Sequence, residues 1–136
     1  MADTLGRPLW YELLTTDMKA AEAFYSAVVG WSVMPFRPAP DAYDMFARAA
    51  DTPVGGVMTI PTGMNFPPHW EMYVGVPSLD DAIAKVERLG GSGLSGVITV
   101  PNVGRLRVMK DPQGAVFALF EPSDAPLPDA APQVGD

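Results

Sequence analysis

Two glutamates, Glu12 and Glu71, and the only histidine of the chain, His69, are the residues whose types suit proton transfer or ion binding. Strict alternation over Pro8 to Thr15 places Trp10, Glu12 and Leu14 on one face of a strand and Tyr11, Leu13 and Thr15 on the other. Over His69 to Val76 the same period puts His69 and Glu71 together. A carboxylate on a sheet whose other face is covered by a helix is costly unless it is paired, so it should meet a cation or titrate abnormally. Arg107, or Arg105 on the same face of its strand, is the expected partner. Glu12 and Glu71 are therefore candidate catalytic residues, as a buried general base would be; the structural alternative is an internal ion pair. His69 follows Pro67-Pro68 and is expected at a strand start, where a ligating role competes with a solvated one.

The rest of the chemistry narrows by exclusion. With no cysteine in 136 residues, disulfides, thiolate zinc sites and cysteine nucleophiles are not available, and any metal must be held by His, Asp or Glu. The formal net charge is −7 and the nine basic residues are scattered, which argues against a nucleic-acid partner and against an anionic substrate. Gly90-Gly91-x-Gly93 follows a helix pattern instead of opening one, and Ser95 lacks the flanks of a nucleophile elbow. Trp10, Tyr73 and Phe120, with Met34, Met45 and Met58, are candidates to line a pocket for an apolar or aromatic compound, and each also reads as ordinary core.

These residues must be positioned by an ordered set of elements. After the first strand, Asp17 offers an N-cap, Ala21, Phe24 and Val28 recur at helical spacing, and Gly30 supplies a stop. Trp31 to Phe36, Tyr43 to Ala49 and Val54 to Ile60 read as strands, the last two separated by the break Asp51-Thr52-Pro53. A proline-rich connector, 61–68, precedes a second round: a strand from His69, a helix capped by Ser78 with the stripe Leu79, Ala82, Ile83, Val86 and Leu89, then strands over Val97 to Val100, Arg105 to Lys110 and Ala115 to Glu121. The turn Asp111-Pro112-Gln113-Gly114 joins the last two. Trp10 and Trp70, like Gly30 and Gly90, recur 60 residues apart. The pattern is a repeated βαβββ module in one domain, 1–122 (module one about 6–60, module two about 69–122), with 123–136 expected as a flexible tail.

The motifs Gly6-x-Pro8-x-Trp10-x-Glu12-Leu13, Thr16-Asp17, Phe24-Tyr25 and Gly30-Trp31, followed by Pro67-Pro68-His69-Trp70, Asp80-Asp81-Ala82, Leu89-Gly90-Gly91 and Asp111-Pro112-Gln113-Gly114-Ala115-x-Phe117, resemble the glyoxalase / bleomycin-resistance / extradiol-dioxygenase superfamily over about 6–122. The resemblance implies an α+β fold of two βαβββ modules forming a cup-shaped sheet. In the metal-dependent members it implies ligands on the first and last strands of each module. Those positions fall here at Trp10, at Glu71 and at Ala118, and Val54 to Ile60 contains no His, Asp or Glu. Alanine and indole do not bind a divalent ion, so no cofactor is expected; His69 and Glu71, with Glu12, are what remains for a rearranged metal site.

The expected function is that of a metal-independent glyoxalase-like protein that sequesters, or performs acid–base chemistry on, an apolar or aromatic small molecule, with Trp10, Glu12, Glu71, Tyr73, Arg107 and Phe120 as ligand-binding candidates. A metal-dependent lyase, isomerase or dioxygenase, and a dimeric interaction module with a vestigial pocket, are the alternatives. No run approaches the roughly 20 apolar residues that cross a bilayer, so a cytoplasmic protein without a membrane partner is expected, and a homodimer, since the superfamily commonly pairs modules and open sheet edges favour pairing.

Overall fold

A computed structural model describes residues 5–36 and 43–123; the tail expected over 123–136 lies almost wholly outside the described residues. The chain divides into two compact units, one of residues 10–71 and the other of residues 72–123 with 5–9. The class is mixed α+β, as the alternation of periods in the sequence requires.

In the first unit, β1 (Pro8–Thr15) leads through α1 (Met18–Val29) to β2 (Ser32–Pro35), β3 (Asp44–Arg48) and β4 (Thr52–Thr59). Strand order is β2-β3-β4-β1, with β1 parallel to β4 and the other pairs antiparallel. Asp17 caps α1 by accepting from the Ala20 amide at 3.0 Å, and Gly30 ends it in a left-handed conformation, φ 78°. Leu13, Met18, Phe46 and Val57 are buried between α1 and the sheet, with Tyr25, Trp31 and Val54 packed against them. The expected stripe on α1 is displaced: Phe24 and Val28 are 58% and 62% exposed, and Met18, Ala21, Glu22 and Tyr25 face inward. The spacing is the same, but it includes a glutamate, which an apolar pattern does not count. The break before β4 also falls earlier than expected. Ala50 and Asp51 take positive φ (61° and 54°) and complete the reversal, so Thr52 and Pro53 are already in the strand.

The second unit repeats the plan. β5 (His69–Gly75), which begins in the first unit, is followed by α2 (Leu79–Arg88), β6 (Ser92–Gly93), β7 (Ile98–Val100), β8 (Gly104–Lys110) and β9 (Val116–Pro122). Its order is β5-β9-β8-β6 with β7 also on β8, and β5 runs parallel to β9 as β1 does to β4. Val76, Leu79, Met109 and Leu119 form the core, joined by Ala82, Ile83 and Val86 of the expected stripe; Leu89, at the C-cap, is 70% exposed instead. The two-residue β6 carries no sequence period and was not expected. The turn 111–114 forms as read, with Asp111 Oδ1 accepting from the Gln113 and Ala115 amides at 2.9 Å each and Gly114 at φ 96°.

Candidate functional site

The face of the first unit turned away from α1 carries the polar residues of interest. Across the sheet, Met34 lies opposite Met45, Met45 opposite Gly56, and Gly56 opposite Glu12, while Leu14 lies opposite Met58. Directly paired residues share a face, so the three methionines anticipated as pocket residues do lie on the side of Glu12. Leu13, one residue on, points into the core under α1. On β5 the alternation is the same: Trp70 donates from Nε1 to Tyr25 Oη on α1 at 3.0 Å, and its neighbours His69 and Glu71 take the other side. Both glutamates are buried, each 3% exposed.

Tyr43, just before β3, organises this face and was not singled out by the sequence. Trp10 Nε1 donates to its hydroxyl oxygen at 2.8 Å, and the hydroxyl in turn donates to Glu12. The hydroxyl sits directly over Gly56, where any Cβ would collide with it. Burial, then the negative charge of Glu12, hold the Tyr43 phenol well above its ordinary range, and the charge of Glu71 acts in the same direction. The sequence reads Tyr43 as the first residue of a strand, whereas β3 begins at Asp44, and only the glycine opposite Glu12 hinted at a guest over the strand.

His69 is oriented from both sides. Its Nδ1 lies 2.9 Å from the carbonyl oxygen of Pro67 and its Nε2 lies 3.1 Å from Glu71 Oε1. The ring also meets Phe66 edge-on, with centroids 4.9 Å apart. Burial raises the Glu71 carboxyl above its usual range, and the bond to His69 opposes that rise. The other oxygen, Oε2, is buried and has no hydrogen-bond partner among the described residues. The expectation that an arginine neutralises Glu71 is corrected: the side chain it meets is His69. Arg105 instead meets Glu121 at 3.1 Å and Asp80 at 3.8 Å, and Arg107 donates from Nε to the Ser95 carbonyl at 2.7 Å while its guanidinium covers Gly93. The remaining ligand-binding candidates, Tyr73 and Phe120, belong to the second unit, where their rings lie 6.2 Å apart and tilted by 35°.

The residues present do not fit the three-donor set that the metal-dependent relatives imply. Among the described residues no group of three His, Asp or Glu side chains gathers at one point. The space beside Glu12 over Gly56 is filled by a phenol held by an indole, and Ala118 is fully buried opposite Tyr73 on β9.

A second buried ionisable cluster lies elsewhere in the first unit. Glu22 of α1 and Asp44 of β3 each lie 3.3 Å from Lys19 Nζ, and Glu22 Oε2 is buried without a hydrogen-bond partner among the described residues. Burial and the adjacent Asp44 push the Glu22 carboxyl up to about 7.

Residues 11–120 match the model of a family described as the glyoxalase-like domain. The chain belongs to that family. Within this glyoxalase-like group it is 36% identical over 123 residues to CFP32 of Mycobacterium tuberculosis, which is named a glyoxylase, covering 90% of this chain and 47% of that protein. It is 28% identical over 130 residues to the anthracycline biosynthesis protein DnrV of Streptomyces peucetius, covering 85% and 46%. The chain thus spans about half the length of the curated relatives it matches. Its fold is shared with a variant of homoprotocatechuate 2,3-dioxygenase from B. fuscum, at TM-score 0.59 and 19% identity over 88% of this chain and 33% of that one. It is shared equally with the Mn(II)-bound glyoxalase from Novosphingobium aromaticivorans, at TM-score 0.57 and 18% identity over 93% and 42%.

Proposed function

We propose that this glyoxalase-like chain binds an apolar or aromatic small molecule against Trp10, Glu12, Tyr43 and Glu71, without a resident metal ion, and that the His69–Glu71 pair supplies the acid–base chemistry of the site. The observation that carries the reading is Glu71 itself: a fully covered carboxyl with one oxygen bonded to an oriented imidazole and the other without a partner among the described residues. Proteins rarely leave such an atom unmatched unless something else completes it. The apolar face beside it, with Met34, Met45 and Met58, favours a hydrophobic body, and the negative charge of the chain disfavours an anion. In the chemistry proposed, the ionised Glu71 takes a proton from the ligand at Oε2 while the proton shared between Oε1 and Nε2 stays on His69, and Tyr43 keeps Glu12 in place through its hydroxyl.

Native mass spectrometry of the purified protein tests this directly. A scavenged organic mass of a few hundred daltons, lost in a Glu71→Leu variant, is the expected result. A divalent ion retained stoichiometrically through dialysis defeats the metal-independent reading and favours a rearranged lyase, isomerase or dioxygenase site at Glu12, His69 and Glu71.

A cytoplasmic homodimer completes the proposal. No helix among the described residues is long and apolar enough to cross a membrane, and Phe24, Val28 and Val29 on α1 with Val33 on the edge strand β2 leave apolar surface uncovered.

A further inference from the structure

We infer that the ligand of this site must present a hydrogen-bond donor, a hydroxyl or N–H on an uncharged or cationic aromatic body, to Glu71 Oε2, because the side-chain protons of Trp10, Tyr43 and His69 are each already directed at a neighbour. This rests on the binding site proposed above and specifies what that site accepts.

The donors can be traced one by one. The Trp10 indole has a single N–H and no acceptor, so its contact of 2.8 Å obliges the Tyr43 oxygen to accept. The one proton of Tyr43 then goes on to Glu12. At His69, a carbonyl oxygen only accepts, so the 2.9 Å contact to Pro67 puts a proton on Nδ1. The 3.1 Å contact between Nε2 and Glu71 Oε1 also needs a proton, since two bare lone pairs repel at that distance. Whether that proton belongs to the imidazole or to the carboxyl, it lies between Nε2 and Oε1. In either arrangement Oε2 carries no hydrogen and is an acceptor. It is buried and unmatched among the described residues, an arrangement that costs free energy until a donor arrives. A carboxylate, sulfonate or phosphate on the ligand would bring further acceptors to Trp10, Tyr43 and His69, whose protons are already engaged.

Three probes of one shape separate the possibilities: 2-naphthol, its methyl ether 2-methoxynaphthalene, and 2-naphthoate, each titrated into the full ¹⁵N-labelled chain and followed at the amides of Trp10 to Glu12, Tyr43 and His69 to Glu71. The naphthol is expected to bind about tenfold or more tightly than its ether, the usual range for one hydrogen bond to a charged or strongly polar buried group, and the naphthoate more weakly than either. In Glu71→Gln the amide NH2 donates to His69 Nε2 and the amide oxygen replaces Oε2, so the preference for naphthol should persist; in Glu71→Leu it should vanish. Equal affinities of naphthol and ether in the wild-type chain, or tighter naphthoate, overturn the inference while leaving the site standing. No perturbation of these amides by any of the three overturns the proposed site and the inference with it.

Discussion

A methyl group at position 56 would occupy the place of the Tyr43 hydroxyl, so the smallest possible substitution there should act on a residue distant in sequence. Gly56→Ala is expected to expel the phenol and break its bond to Trp10, read as a shift in tryptophan emission and a loss of near-ultraviolet circular dichroism, with stability lowered by about 1–3 kcal/mol. In a Tyr43→Ala background the same change should have little further effect, because the two act on one contact. Glu22 supports a second prediction. Its carboxyl is raised to about 7 in the folded chain, from about 4.5 when unfolded, so between those values the folded state binds more protons. Stability from this group is therefore full below about pH 4.5 and falls as pH rises toward 7; Glu22→Gln should flatten the melting temperature over that window. Strand alternation was enough to find Glu12 and Glu71. Tyr43 opened the strand read over Tyr43 to Ala49, but alternation does not show that its hydroxyl reaches Glu12; Glu22 sits on an inward helical stripe where pattern reading expects an apolar residue.

The two helices show why spacing alone fixes an element but not its facing. Both caps form as the sequence indicates, Asp17 on α1 and Ser78 on α2, since a short oxygen-bearing side chain before a periodic run has one productive use. On α2 the stripe is wholly apolar and, from Leu79 to Val86, faces inward; on α1 Phe24 and Val28 compete with Met18, Tyr25 and Glu22, and the aromatic contacts of Tyr25 with Trp31, Phe46 and Trp70 decide the rotation. The start of α2 is secured twice, by Ser78 Oγ accepting from the Asp81 amide at 3.2 Å and by Glu121 Oε1 accepting from the Leu79 amide at 2.8 Å. Ser78→Ala should therefore cost about 1 kcal/mol, whereas Leu79→Ala, at a fully buried position, should cost about 2–5 kcal/mol in urea unfolding. The Glu121 carboxyl is lowered by the Leu79 amide first and Arg105 second, so acid should loosen this end of α2 as pH falls through its depressed range. Comparable costs for both substitutions would show that the cap, and not the core, sets the stability of this helix.

At the scale of the molecule, the repeated order of strand, helix and three strands was legible because each module repeats the same caps and glycine stops, and the parallel pairs β1 with β4 and β5 with β9 reproduce one topology twice. What the repeat does not determine is how the exposed apolar surface is used. Phe24 and Val28 stand one turn apart on α1, the rotation that packs Tyr25 against the core having turned them outward, and Val33 lies on β2, which among the described residues has a strand partner on one side only. A self-complementary contact between two copies would cover such surface and the free edge together. Light scattering at tens of micromolar protein is expected to report a dimer. Each copy carries −7, so added salt should strengthen association by screening, the reverse of an interface held by ion pairs. Val28→Asp should yield folded monomers with an unchanged circular dichroism spectrum, because its side chain supports no core contact. A monomer in the wild-type chain at both low and high salt rules out this use of the α1 face, and it leaves the Glu71 site untouched, since none of the site residues lies on that helix.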